Sequence, residues 1–358
     1  MPDTTHARRC EGLLLRLDGV GADAFYSRHH PSRAYLSGFF GTEGAVLITR
    51  AQRTLFVDSR YTEQARRQAA AFDVRQFRGG LLTAVRKALP KGSRVAFEDS
   101  HLSVSAKDDL AKNLTGSSLV PTRGLVEAMR LVKDPGEVDT IRSAIAIGDA
   151  AIASLLPQIR AGMTEREVAA LLEWEMRAAG GDGTSFPTIV AAGERGAMAH
   201  ALASDRPLTP GDAVVIDFGT WLRGYCSDLT RTVFLDTIPN DGISVLETVR
   251  DAQLAAIKLV RPGVPAGEVD RAARVLIDRA GYGPRFGHGL GHGIGLDYHE
   301  APGIVPGSSR RLVPGMVFSI EPGIYLPGRF GVRIEDIVLV TTSGCEVLSR
   351  APKGATIV

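Results

Sequence analysis

Four acids keep unusual company for surface residues. Asp217 follows the apolar run Ala213 to Ile216, and Asp228 precedes Leu229 to Phe234. Glu321 closes Phe318-Ser319-Ile320, and Glu335 closes Val332-Arg333-Ile334. Each run reads as a strand. Short turns, Thr220 to Gly224 and the residues around Gly328, separate the members of each pair. With the first hairpin centred near Leu222 and Arg223, Asp217 and Asp228 lie directly opposite on one face. Like charges so placed destabilise a sheet. At about 5 Å and an effective dielectric of about 20, the repulsion is about 3 kcal/mol. A shared proton, a basic partner or a metal must offset it. A lone strand aspartate is normally a surface carboxylate or half of a salt bridge. Two matched pairs point instead to a metal centre, because oxygen-rich sites hold hard or borderline divalent cations. Four carboxylates carry charge enough for two such ions.

Histidines add a nitrogen donor. His288, His292 and His299 fall within one short segment that also has glycine at 287, 289, 291, 293 and 295. Those glycines are expected to open backbone conformations closed to other residues and to let the chain approach a ligand. Imidazole is the commonest nitrogen ligand and titrates near neutral pH. His200 stands apart, in Ala197-Met198-Ala199-His200-Ala201. A phosphate-binding loop is excluded, since neither GxxxxGK[ST] nor a strand-GxGxxG-helix context occurs. A serine hydrolase is excluded by the lack of a GxSxG elbow.

The elements that position these residues repeat. Arg160, Gly162, Glu167, Val168 and Gly180 recur 101 residues later as Arg261, Gly263, Glu268, Val269 and Gly281. Each segment is a turn followed by an amphipathic helix that ends at glycine. Leu208-Thr-Pro-Gly-Asp-Ala-Val-Val-Ile-Asp217-Phe-Gly219 recurs 104 residues later as Leu312-Val-Pro-Gly-Met-Val-Phe-Ser-Ile-Glu321-Pro-Gly323. Two matched blocks at nearly one offset define two related halves, each with helices followed by a β-hairpin. Upstream the chain reads as mixed α/β, with a hairpin from Gly44–Thr49 and Thr54–Val57. Helices are expected over Tyr61–Ala71 and Ser105–Leu114, and a strand over Arg94–Phe97. Between these regions, near Pro121 to Pro135, lies a boundary. Asp134, Pro135 and Glu137 form a D-x-x-E capping arrangement that opens a helix through Ala153. The expected domains are 1–124 and 132–358.

Composition narrows the function class. With 44% hydrophobic and 23% charged residues, 358 residues suffice for one large or two ordinary globular domains. The net charge of +2 contains no like-charged run, so neither a nucleic acid nor a membrane surface is an expected partner. Tryptophan is too scarce for a base-stacking ladder. Cys10, Cys226 and Cys345 are odd in number and widely spaced, which suits a reducing, cytoplasmic setting. Met1 to Arg9 lacks the apolar core of a secretory signal, and no apolar run approaches the roughly 20 residues of a bilayer span.

These motifs resemble those of a known family. VVIDFGTWLRGYCSDLTRT, HGLGHGIGLDYHE, SIEPGIY and VRIED are similar to the metallopeptidases with the pita-bread fold, and within it to Xaa-Pro dipeptidase (prolidase) and aminopeptidase P. YLSGFFGTEGAVLIT and LFVDSRYTEQA resemble the creatinase-type N-terminal domain of those enzymes. The likeness runs from about Arg33 to Thr341. It implies an α/β protein with a small creatinase-like domain and a pita-bread domain of two pseudo-symmetric halves. It implies metal ligands at Asp217, Asp228, His292, Glu321 and Glu335, with Asp228 and Glu335 bridging two divalent ions (Mn, Co or Zn). By the same likeness His200 and His299 flank the cleft as catalytic residues, and His288 and Arg333 lie near the substrate. A homodimer acting on proline-containing peptides is implied as well. One departure stands out: Tyr298 occupies a position that usually carries Val or Ile.

Two metals about 3.5–4 Å apart share a hydroxide whose pKa falls toward neutrality. That hydroxide attacks the scissile carbonyl, a metal and an imidazole stabilise the oxyanion, and the resemblance implies that Glu321 takes and returns the proton. Proline after the scissile bond leaves a tertiary amide without an N–H. Such a substrate needs a dedicated pocket, an expectation carried by the resemblance alone. A dipeptidase is favoured over an aminopeptidase P because the chain is short beside three-domain forms of the latter. Metal-free creatinase-like hydrolases and non-catalytic scaffolds of this fold lose ligands or cleft histidines, and this chain retains both sets.

Overall fold

The computed structural model describes residues 4–358. Of the segment Met1 to Arg9, its first three residues therefore lie outside the described residues. The chain divides into two compact units, Met1–Arg130 and Leu131–Val358.

The first unit is built on a six-stranded mixed sheet. Its strand order is Asp73–Gln76, Arg53–Val57, Ala45–Thr49, Ala24–Ser27, Arg94–Glu98, Ser118–Thr122. The central strands are buried along their whole length, as their unbroken apolar sequences require of strands covered on both faces. The expected hairpin is present, with Ala45 opposite Phe56 and Leu47 opposite Thr54. The helix expected over Tyr61–Ala71 is shorter, Thr62–Gln68, because the chain must turn at Ala69 to start the parallel strand Asp73–Gln76. Helices Thr4–Gly19 and Leu125–Arg130 and the strand Ala24–Ser27 had no clear sequence signal. The helix Leu125–Arg130 belongs to this unit.

The second unit opens with the helix Pro135–Leu155. Asp134 Oδ1 accepts from Glu137 N at 3.0 Å, and Glu137 Oε2 accepts from Asp134 N at 2.9 Å, which completes the capping box. With the 3₁₀ turn that follows, this helix has the length and mean hydropathy of a bilayer span. Its apolar side chains are nevertheless spent on the unit's own cores, and Glu137, Asp139, Arg142 and Asp149 interrupt it.

The internal repeat is visible as matching hydrogen bonds. Gly162 N donates to Leu208 O at 2.9 Å, and Leu208 N returns to Met163 O at 2.8 Å. One copy later, Gly263 N donates to Leu312 O at 2.8 Å and Leu312 N to Val264 O at 2.9 Å. Each half has its own core. In the first, Val168, Leu172 and Met176 of helix Glu165–Ala178 pack on Val214 and Ile216. In the second, Val269, Ala273 and Ile277 of helix Ala266–Arg279 pack with Phe318 and Ile320. Strand side chains alternate between faces. The residues between these positions, Val215, Asp217, Ser319 and Glu321, therefore point away from the helices. That parity delivers the acids to one side.

Candidate active site

Both hairpins break where the acids sit. Strands Ala213–Phe218 and Leu229–Phe234 pair with Asp217 opposite Thr230. The outer hairpin, Thr220–Leu222 with Tyr225–Cys226, keeps that register but belongs to another sheet. The turn is thus Arg223-Gly224, with φ of 50° and 87°, as a two-residue hairpin loop demands. This corrects the expected centre at Leu222 and Arg223. Asp228 lies two residues along from the position opposite Asp217, a diagonal neighbour on the same face rather than its direct partner. A slip of two preserves the face; a slip of one would have reversed it. The sheet divides at Gly219, where an added Cβ would lie 2.1 Å from Ser227 O, so only glycine lets the strands cross there. Asp228 occupies the strand end at this break, where a side chain can be re-aimed.

The second hairpin repeats the device. Val317–Ile320 pairs with Asp336–Val340, Ile320 opposite Asp336. Gly323–Leu326 pairs with Phe330–Arg333 in a separate two-stranded sheet, Gly323 opposite Arg333. The register shared by the two ladders sets Glu321 opposite Glu335 in the gap between them.

His292 arrives on the neighbouring strand Gly291–Gly293, beside Val317–Ile320. None of the five glycines at 287–295 has a left-handed φ, contrary to the expectation of special conformations. What Gly289, Gly291, Gly293 and Gly295 supply is the missing Cβ: at Gly291 it would lie 2.0 Å from Ser319 O, whereas Gly287 faces open space. His292 Nδ1 faces Gly293 O at 3.1 Å, which directs Nε2 toward Glu321 Oε1 at 3.1 Å and Asp228 Oδ2 at 3.7 Å. Ser319 Oγ accepts from His292 N and donates to Glu321 Oε1, both at 3.0 Å. Arg274 and Asp270 hold the segment from behind, with Arg274 Nη2 on His288 O and Asp270 Oδ1 accepting from Leu290 N.

Arg333 lines the cleft but spends its guanidinium within the protein. It donates to Asp217 Oδ2, to Thr230 Oγ1 at 3.1 Å, and to Tyr325 Oη and Ala199 O at 3.0 Å each. Tyr325 Oη also meets His288 Nε2 at 2.9 Å. Thr230 Oγ1 donates to Glu335 Oε2 at 2.8 Å, which links the two hairpins. The His299 ring lies against that of His292, tilted by 54° with ring centroids 3.8 Å apart. The ion pair of Lys133 with Glu300, 2.6 Å and buried, fixes the chain just beyond His299. His200 is exposed on a turn and lines the same cleft of about 500 Å³, as do all the other expected site residues.

Electrostatics show what the cluster lacks. Burial, reinforced by Glu335 and Asp217, pushes the Asp228 carboxyl well above its usual range. Burial together with Glu321 and Asp217 does the same to Glu335. Burial also raises Asp217, with Arg333 opposing. Glu321 resists its own burial because His292, Arg333 and His288 hold it at about 2. Buried Asp217 Oδ1 and Glu335 Oε1 have no hydrogen-bond partner. Ligand atoms of Asp228, His292 and Glu335 lie within 4.8 Å of one another. Orphaned buried oxygens beside mutually repelling carboxylates and one oriented imidazole fit a divalent cation. Thr230, Ser319, Tyr325, Asp270, Arg274 and Lys133 went unnoticed in the sequence. Only the i, i+4 pair Asp270 and Arg274 carried a signal.

A buried acid–imidazole centre between two duplicated hairpins defines a metal-dependent hydrolase. Comparison with known proteins agrees. Residues 139–342 match the model of metallopeptidase family M24, and residues 9–132 match the creatinase/prolidase N-terminal domain. The Xaa-Pro dipeptidase of Pyrococcus horikoshii is 35% identical over 95% of this chain and 96% of its own. The solved Xaa-Pro dipeptidase of Bacillus anthracis superposes with a TM-score of 0.95 at 38% identity, covering 99% of this chain and 100% of that one. The X-Pro aminopeptidase of Thermotoga maritima gives 0.91 at 39% identity, covering 98% and 99%. The chain belongs to metallopeptidase family M24, with a creatinase-type N-terminal domain ahead of a pita-bread catalytic domain.

Proposed function

We propose that this protein is an Xaa-Pro dipeptidase whose domain 132–358 holds two divalent ions, behind a creatinase-like domain 1–124. The observation that carries the reading is the convergence of four carboxylates and His292 at the paired breaks of two hairpins, with buried oxygens left unpartnered. Asp217, Asp228, His292, Glu321 and Glu335 would hold the ions, with Asp228 and Glu335 shared, Asp217 serving one ion, and His292 with Glu321 serving the other. Bound there, the ions supply a hydroxide at neutral pH and polarise the scissile carbonyl. Glu321, steadied by Ser319, takes the proton of the attacking water and returns it to the proline nitrogen. His200 and His299 reach the carbonyl from the exposed side of the cleft and stabilise charge developing on its oxygen. His288, tied to Tyr325, and Arg333 support the substrate from the cleft wall.

Substrate preference rests on the relatives, whose names give Xaa-Pro dipeptidase in Pyrococcus horikoshii and Bacillus anthracis. The ions are Mn, Co or Zn, and the working form is a cytoplasmic homodimer. The free thiols of Cys10, Cys226 and Cys345 suit that compartment. A second reading, release of the residue before proline from longer peptides, is favoured by the likeness to the Thermotoga maritima X-Pro aminopeptidase. Hydrolysis of a Xaa-Pro dipeptide and a Xaa-Pro-Xaa tripeptide, each with Mn²⁺ and with chelator, separates the two. Metal-dependent cleavage of the dipeptide alone supports the first, and cleavage of the tripeptide the second. Cleavage of neither rejects both.

A further inference from the structure

The duplicated halves differ in chemistry at one buried helix position. Helix Gly242–Leu259 stands in the second half where Pro135–Leu155 stands in the first. At the offset of 101 residues that relates Arg160 to Arg261, every buried position from Val245 to Ala256 falls on a buried position between Ala144 and Leu155. All of these pairs are apolar except one, in which Ile152 of the first helix becomes Gln253 of the second. Ile152 packs in its half's core, so the fold does not demand a polar side chain there. Gln253 is nevertheless fully buried. Its Nε2 donates to Asp336 Oδ2 at 3.1 Å, to Ile320 O at 3.2 Å and, most weakly, to Ile334 O at 3.5 Å. Its Oε1 has no hydrogen-bond partner among the described residues. Turning the amide over would set that oxygen against three acceptors, so the network fixes its orientation. An orphaned buried carbonyl costs about 1–3 kcal/mol, and an isoleucine would not incur it.

The three acceptors show what the amide does. Ile320 and Ile334 immediately precede Glu321 and Glu335, and Asp336 immediately follows Glu335. Glu321 and Glu335 lie outside the flanking strands, in the gap between the two ladders of the second hairpin. Gln253 therefore grips the backbone that carries both acids at the place where the ladders do not. Repulsion between two buried carboxylates pushes the strand ends apart. An amide rooted in a packed helix resists that push. Asp336 is held in turn by Arg231 Nη2 at 2.8 Å and by Lys353 Nζ, and Arg231 also donates to Glu335 O. We infer that Gln253 is a positioning residue of the metal centre, which fixes the separation of Glu321 and Glu335 and so sets the affinity for the ion that Glu321 and His292 serve. This rests on the two-ion reading above.

The test titrates metal-free wild type, Gln253→Met, Gln253→Leu and Ile152→Met with Mn²⁺ by calorimetry. Melting in chelator and the kinetics of Xaa-Pro dipeptide hydrolysis are recorded for each. Methionine keeps the reach of glutamine and removes the N–H donors. We expect the wild type to bind two Mn²⁺ ions and Gln253→Met to hold one of them about 10–100-fold more weakly, the scale for groups that orient metal ligands. Activity should return at saturating Mn²⁺, with KM for the dipeptide unchanged. Ile152→Met alters the matching position of the other core and should leave both affinities as they were, which separates positioning from packing. Gln253→Leu should act like Gln253→Met and keeps the test valid if the methionine variant folds poorly. Unchanged Mn²⁺ affinity in a folded Gln253 variant overturns the inference and leaves the two-ion reading intact. So does an equal loss of affinity in Ile152→Met. A wild type that binds fewer than two ions overturns both.

Discussion

Arg333 donates to the carboxylate of Asp217 from a strand that lies 116 positions later in the chain. The contact joins the two halves, and both partners are buried. The other Asp217 oxygen has no protein partner, so the guanidinium neutralises one side of this acid and leaves the other facing the cluster. Replacing Arg333 with Met leaves Asp217 buried and uncompensated, which costs about 3–5 kcal/mol in comparable buried pairs. We predict a loss of at least about 100-fold in kcat/KM with a lowered melting temperature. Arg333→Lys should recover little, because one ammonium cannot reach Asp217, Thr230, Tyr325 and Ala199 O together. Steady-state kinetics with thermal melts of both variants checks this.

Asp228→Asn should abolish activity and lower bound metal, measured by elemental analysis, while the fold persists. Full turnover by a folded, metal-poor variant would reject the two-metal reading.

The metal-free protein should show the reverse effect on stability. Asp228 and Glu335 have folded-state pKa values raised well above 3.8 and 4.5. Between those ordinary values and the raised ones, the folded state binds more protons than the unfolded state. The stability these two groups contribute is therefore fully present below about pH 4 and is lost as pH rises through the raised values, by up to about 1.4 kcal/mol per pH unit for each group. Thermal melts in chelator should fall as pH rises above the ordinary carboxylate range, and Asp228→Asn should flatten the slope. Saturating Mn²⁺ should restore the wild type selectively. An identical slope in variant and wild type would contradict this account.

His200→Ala should lower kcat by about 100-fold, the scale of a lost oxyanion-stabilising group, with metal content nearly unchanged. Loss of metal in step with activity would make His200 structural.

Ser319→Ala removes the acceptor of His292 N and a donor to Glu321. Groups that orient metal ligands typically change affinity 10–100-fold. We expect that loss in titrations with Mn²⁺, together with recovery of activity at high metal concentration.

Much of this site was legible because charge in an apolar strand is costly and the chain commits that cost twice. The matched blocks around Asp217 and Glu321 also exposed the duplicated architecture, since turn and helix recur with them. The register was harder to read. Nothing in Thr220 to Gly224 distinguishes a turn centred on Leu222-Arg223 from one on Arg223-Gly224 until the left-handed pair of φ angles is seen. The supporting hydroxyls escaped for a different reason. Thr230 and Ser319 sit in strands whose composition already explains them, and their significance comes from partners about a hundred residues away or on another strand. Tyr298 was conspicuous by type, but its pairing with Phe186 is purely tertiary.

The bond from Thr230 to Glu335 has a kinetic meaning. A growing chain presents Asp217 and Asp228 long before the residues that complete the cluster exist. Its first hairpin must wait with two acids in apolar surroundings. Contacts of such sequence separation close late in folding. Assembly of the centre is thus a terminal step of folding, and a truncated first half is expected to be incapable of hydrolysis.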